Sequence, residues 1–169
     1  MNKQNLKVVF TLLLLFISDR LIKILILKKV ETSFKPVSIS FMSHFINQPE
    51  INSGIALSLP LNNNLAIALA IIAIIIISWH LSNLLKYKTW LTFYWGLILI
   101  GAFSNLLDRI FLGGVADYLS LPLIHSLFNL ADAFIFIGAI LLALNTNLYS
   151  ALSIDQSLAG LKDKQDSSK

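Results

Sequence analysis

The chain has 169 residues, of which 56% are hydrophobic and 13% charged, with a net charge of +4 and no cysteine. Ordinary globular domains carry roughly a quarter of charged residues, so this composition excludes a soluble fold and fits a chain solvated by lipid. The absence of thiols excludes disulfides, thiol catalysis and thiolate metal sites, and the charge forms no compact basic patch that would point to nucleic acid.

A membrane-spanning helix takes about 20 mostly apolar residues. Four stretches qualify: Leu6 to Leu27, Asn64 to Leu85, Trp90 to Leu112, and Phe128 to Tyr149. The first resembles a signal peptide in that Lys3 and Lys7 precede the run Val8 to Ile17. No small-x-small cleavage site follows, and the chain continues through Ser18-Asp19-Arg20 into more apolar residues, so it reads as a retained helix. The long connection from Lys28 to Asn63 alternates Val37, Ile39 and Phe41 with Ser38, Ser40 and Met42, the period of a half-buried strand. Asn52-Ser53-Gly54 then supplies a turn before the apolar run Ile55 to Leu61, and this loop is expected to form a small strand-containing cap on the membrane surface. A tight turn at Lys86-Tyr87-Lys88 joins the second and third spans, and a loop of intermediate length carrying Asp117 joins the third and fourth. The expected class is an all-α membrane protein of four transmembrane helices, with residues 1–150 as one domain and 151–169 as a polar, disordered tail.

Orientation follows from the lysines and arginines of the short loops. With the amino terminus inside, Lys3, Lys7, Lys86, Lys88, Lys162, Lys164 and Lys169 are cytoplasmic, and the outer loops keep Lys28, Lys29 and Lys35. Both termini are thus expected in the cytoplasm.

That orientation gives the intramembrane charges a common depth. Each such group costs about 2.5 to 3.5 kcal/mol at a helix centre, so it calls for a function. Asp19 and Lys23 fall in the outer half of the first helix, Asn105, Asp108 and Arg109 near the outer end of the third, and Asn129 and Asp132 at the outer start of the fourth. Asp117 lies just beyond the third helix. Asp19 with Lys23, four apart, can pair along one helix face, and Asn105, Asp108 and Arg109 share a face through spacings of three and four. Blander roles exist for each: a helix-locking ion pair, Arg109 snorkelling to headgroups, Asp132 favoured by a helix dipole, Asp117 as a solvated acid. The coincidence of depth favours one polar cavity open to the outer face.

Two carboxylates close together in such a cavity cannot both ionise, so one can act as base while the other keeps a proton, which is sufficient to activate water against an amide. This chemistry needs no thiol, metal or histidine. His44, His80 and His125 are too scattered for a zinc site, and no H-E-x-x-H, Gly-rich phosphate loop or G-x-S-x-G is present. No metal or cofactor is expected. Alternatives are a transporter, disfavoured because the inner halves of the helices lack a polar track, a serine protease built on Ser104, and a structural membrane anchor.

The motifs themselves carry a family resemblance. Asp19-Arg20-Leu21-Ile22-Lys23 is similar to a D-x-x-x-K, Asn52-Ser53-Gly54-Ile55-Ala56 to an N-x-G-x-A, and Gly101 with Asn105-Leu106-Leu107-Asp108-Arg109 to a G-x-x-x-N-x-x-D-R. Gly114-Val115-Ala116-Asp117-Tyr118 is similar to a G-x-V-x-D-[FY], and Phe128-Asn129-Leu130-Ala131-Asp132 to an F-N-x-A-D. In that order the chain resembles the lipoprotein signal peptidases (signal peptidase II), aspartic proteases of bacterial membranes. The resemblance implies Asp117 and Asp132 as the catalytic dyad. It implies Asp19, Lys23, Asn52, Gly54, Asn105, Asp108, Arg109, Asn129 and Ala131 as supporting or substrate-contacting positions. It further implies a diacylglyceryl-modified prolipoprotein as substrate, cut just before its lipidated cysteine, by a monomer in the cytoplasmic (inner) membrane whose site faces the periplasm. Leu57 departs from the usual phenylalanine, and the short stretch between Asp117 and Asp132, with His125, departs in length.

Overall fold

Leucine- and isoleucine-rich runs without proline satisfy their backbone internally as helices, which is what a lipid environment demands. The computed structural model describes residues 3–31, 46–54, 62–85, 89–121 and 124–145. The elements are α1 (Lys3–Glu31), β1 (Ile46–Asn52), α2 (Asn63–Leu84), α3 (Thr89–Leu112), β2 (Val115–Leu121) and β3 (Ile124–Phe128), followed by α4 (Leu130–Asn145). Two of these helices, over Asn63–Leu84 and Trp90–Leu112, are long and apolar enough to cross a bilayer. The 29 residues of α1 extend about 44 Å, ample for a bilayer, but Asp19, Arg20 and Lys23 interrupt its apolar run.

α3 is the centre of the helical part. Leu12 of α1, Leu97 of α3 and Phe134 of α4 form the buried cluster, with Val8, Phe93, Ile100 and Leu141 packed around it. α3 and α4 approach closely at Gly101, where an added Cβ would meet the carbonyl oxygen of Ala131 and come within 2.7 Å of Ile135 Cγ1. Small residues at such crossings let helix backbones pack in lipid, where apolar side chains gain nothing by leaving it. α2 lies against α3, with His80 edge-on to Trp95 at 4.8 Å, and its long apolar middle faces outward, with only Ala66 buried. Leu13, Leu25, Ile75 and Phe136 are among many exposed large hydrophobic side chains, a surface that water would not tolerate and lipid does.

The strands form one antiparallel sheet in the order β1-β2-β3. β1 pairs with β2 in the register Glu50↔Asp117, Ile51↔Ala116 and Asn52↔Val115, with a bulge between Ile46 and Glu50. Pro49, which lacks a donor, is accommodated because β1 is an edge strand. β2 and β3 pair through Leu119↔Phe128 and Leu121↔Ile124.

Several sequence-based expectations change here. The connection between α3 and α4 is a β-hairpin, so Asp117 belongs to the central strand rather than to a loop. The fourth helix begins at Leu130, because Phe128 pairs with Leu119 in the sheet and Asn129 serves as cap. The first-loop strand is Ile46–Asn52, while the stretch expected to form it, 37–42, lies outside the described residues. The 55–61 run, the 86–88 turn and the tail after 150 also lie outside them.

Candidate active site

Two short junctions bring the site together. α3 ends in Gly113, whose φ of 78° is a left-handed cap that glycine adopts without strain. Gly114 then passes so close to β1 that an added Cβ would lie 2.7 Å from Asn52 O and 2.8 Å from Ile51 Cγ2. β2 therefore starts directly above α3, and the β2-β3 hairpin returns the chain to α4 through the single residue Asn129.

Asn129 and Asp132 form a reciprocal cap. The Asp132 N–H donates to Asn129 Oδ1 and the Asn129 N–H donates to Asp132 Oδ2, both at 3.1 Å. A carboxylate three residues into a helix is favoured by the dipole as well as by these bonds. The helix-dipole role anticipated for Asp132 is thus real, and it coexists with a place in the site. Asn129 is fully buried, and its Nδ2 donates to Asp117 Oδ1 at 2.7 Å. The other Asp117 oxygen, Oδ2, accepts from Asn52 Nδ2 at 2.9 Å. Asn105 Nδ2 donates to Asp132 Oδ1 at 2.7 Å. All four carboxylate oxygens thus receive one N–H each.

The direction of these bonds is forced. An asparagine amide can turn either end to a neighbour, and its orientation is set by what surrounds it. Asn52 Oδ1 accepts from the Gly54 N–H at 2.9 Å, Asn129 Oδ1 from the Asp132 N–H, and Asn105 Oδ1 from the Lys23 ammonium at 3.1 Å. Those partners can only donate. Each amide must therefore give its NH2 to an aspartate.

Asp117 is buried, and that burial raises its carboxyl above the ordinary range. The bonds from Asn52 and Asn129 pull it back, the negative charge of Asp132 raises it again, and Lys23 lowers it. Burial is the main cause, and the neighbouring Asp132 charge is a smaller contribution in the same direction.

Below the two aspartates lies a buried ion cluster. Lys23 Nζ, 1% exposed, sits 2.7 Å from Asp108 Oδ2 and 3.5 Å from Asp19 Oδ2. Arg20 Nη1 meets the other Asp108 oxygen at 2.5 Å and the Ser104 hydroxyl at 3.2 Å. Ser104 Oγ donates to Asp19 Oδ2. Two acids and two bases balance, as buried charges require. Ser104, considered as a protease nucleophile, is a buried member of this cluster instead.

Arg109 is buried too, not snorkelling. Its Nη2 donates to Gly54 O at 2.5 Å and its Nη1 to Asn63 Oδ1 at 3.4 Å. A chain of bonds consequently runs from Arg109 through Gly54 and Asn52 to Asp117. Ala131 is buried against Gly101, where its small size lets α4 approach α3. The structure thus brings Asn52, Asn105 and Asn129 into direct contact with Asp117 or Asp132. Lys23 and Gly54 lie one step behind, bonded to Asn105 and Asn52, and Asp19, Asp108 and Arg109 lie behind those two. Sequence reasoning did not assign Tyr118, whose Oη accepts the Leu130 N–H at 3.3 Å, nor the pairing of Arg20 with Asp108. The side chain of His125 lies outside the described residues.

Comparison with known proteins shows which family the chain belongs to. The family model described as signal peptidase (SPase) II matches residues 11–148. A lipoprotein signal peptidase of Halothermothrix orenii is 36% identical over 142 residues, covering 81% of this chain and 92% of that protein. One from Ectopseudomonas mendocina is 41% identical over 85 residues, covering 46% of this chain and 48% of that protein, about half of its length. A bacterial membrane enzyme solved by the in meso method has the same fold, with a TM-score of 0.65, 22% identity, and coverage of 85% of this chain and 89% of that one. The chain belongs to the signal peptidase II family.

Proposed function

We propose that this chain is a membrane aspartic endopeptidase that removes the signal peptide from diacylglyceryl-modified prolipoproteins, cutting just before the lipidated cysteine. Asp117 and Asp132 form the dyad. One observation carries this reading: three asparagine amides, each locked by a donor-only partner, present N–H groups to these two carboxyl groups.

The chemistry follows from that arrangement. The dyad holds one proton on lone pairs not used by the amides, and a water molecule lies between the two acids. The ionised carboxyl takes a proton from the water as its oxygen bonds to the scissile carbonyl carbon. The protonated carboxyl gives its proton to the carbonyl oxygen, forming a neutral tetrahedral adduct. The C–N bond then breaks as the amine receives a proton from the first acid, and the adduct's hydroxyl proton returns to the second. The pair titrates as a unit.

Four spanning helices, both termini in the cytoplasm and a periplasm-facing site in the inner membrane complete the reading. The observations supporting it are the depth of the charges and the lysine distribution. The substrate's signal helix enters laterally while its acyl chains stay in lipid, and the enzyme acts as a monomer. A transport role is less well supported, because Asp19, Arg20, Lys23 and Asp108 are tied to one another in a single ion cluster.

The test is incubation of the detergent-solubilised chain with a diacylglyceryl prolipoprotein, followed by mass determination of the products. A single cut before the lipidated cysteine is expected. An intact substrate in the presence of folded protein would overturn the proposal.

A further inference from the structure

Tyr118 follows Asp117 on β2 and is almost completely buried. A helix starts with four N–H groups that its own carbonyls cannot serve. In α4 the Leu130 N–H donates to Tyr118 Oη and the Asp132 N–H to Asn129 Oδ1, while the Ala133 N–H reaches the Asn129 carbonyl at 3.2 Å. The Leu130 N–H and that Asn129 carbonyl belong to the same peptide plane. Consecutive residues of β2 therefore grip the start of α4 at two points, Asp117 through the Asn129 side chain and Tyr118 through the peptide that follows it.

We propose that Tyr118 is a positioning residue for the dyad: its hydroxyl pins the Asn129–Leu130 peptide plane, holding the Asn129 amide on Asp117 and the first turn that carries Asp132. This rests on the reading of Asp117 and Asp132 as the catalytic pair. Burial pushes the phenol up to about 12, with Asp19, Asp108 and Asp132 adding to the rise after the Leu130 bond has opposed it. The hydroxyl thus stays neutral and remains an acceptor wherever the enzyme works. The family pattern admits phenylalanine at this position, so the hydroxyl sharpens the geometry of this chain rather than creating it, and a modest effect is expected.

The test compares wild type with Tyr118→Phe in two ways, by amide exchange at Leu130 in detergent micelles and by steady-state cleavage of the lipidated substrate. Loss of one neutral hydrogen bond corresponds to about fivefold. Leu130 exchange should rise, and kcat fall, by about that factor at unchanged KM. Leu130→Pro supplies the control, because proline is tolerated at the first helical position and has no N–H to donate. In that background Tyr118→Phe should cost less than about twofold, since the bond it removes is already gone. An equal loss in both backgrounds, an unchanged Leu130 exchange rate, or a kcat within about twofold of wild type would each overturn the proposal. If exchange responds as expected but even wild type leaves the substrate intact, the pinning stands and the peptidase reading falls.

Discussion

Replacing Asn52 tests whether amide donation tunes the dyad. Asn52→Leu removes both the donor 2.9 Å from Asp117 Oδ2 and the acceptor for the Gly54 N–H. A hydrogen bond to a charged group contributes about 1.5 to 3 kcal/mol, so kcat/KM should fall about 10- to 100-fold. The sign of the pH effect follows from Asp117, which burial raises and the Asn52 bond pulls back. Without that bond the carboxyl rises further, and the acid limb of the kcat/KM profile moves to higher pH. Asn52→Asp is the sharper probe, because it keeps an acceptor for Gly54 and removes only the donor. Two ionised carboxylate oxygens at the present 2.9 Å separation would repel by about 6 kcal/mol at an effective dielectric near 20, so the new pair must hold a proton to remain in place. That proton restores a donor at low pH. The loss relative to wild type should therefore be smallest in acid and grow as pH rises, whereas Asn52→Leu is impaired on both sides. The assay is cleavage of the lipidated prolipoprotein across the pH range in which each variant stays folded. An Asn52→Asp profile that superimposes on the wild type would refute the locked-amide argument.

Three further outcomes follow from the same structure. Gly114→Ala should reduce activity about tenfold or more in a protein that still folds, because its Cβ, 2.7 Å from Asn52 O, pushes β1 and Asn52 away from Asp117; comparing kcat/KM with thermal unfolding separates the two effects. Lys23→Met should destabilise the fold by about 3 to 5 kcal/mol, measured by unfolding in detergent, since it leaves Asp108 and Asp19 buried with less compensation. Asp117, with its folded-state carboxyl raised by burial, loses its proton in the unfolded chain first, so its contribution to stability falls as pH rises from the ordinary carboxylate range through the folded value. Asp117→Asn should flatten that part of the Tm-against-pH curve.

The helices and the gathering of the charged groups were legible in the sequence because both are written in local terms, namely apolar runs and spacings of three and four. Asp19 with Lys23 is such a case, and the structure pairs them. What a single helix cannot show is which neighbour answers its charges. Lys23 bonds more closely to Asp108 of α3 than to Asp19 of its own helix, and Arg20 takes the remaining Asp108 oxygen. β1 was hidden because Ile46–Asn52, with Gln48, Pro49 and Glu50, lacks the alternation and propensity of a strand and is held by its pairing with β2. Phe128 looked like the start of a helix because it is apolar, although Asn129 followed three residues later by Asp132 is a readable capping signature. The blander snorkelling role fails for Arg109 because Gly54 O and Asn63 Oδ1 offer it acceptors inside the protein.

The most direct test of the dyad is product mass from a diacylglyceryl prolipoprotein incubated with wild type, Asp117→Asn and Asp132→Asn, each checked for folding by thermal unfolding. That check matters, since the new amide at either position turns one NH2 toward a group that only donates. The account predicts a single cut before the lipidated cysteine by the wild type and none by either folded variant. Cleavage at that bond by Asp117→Asn or Asp132→Asn would contradict it.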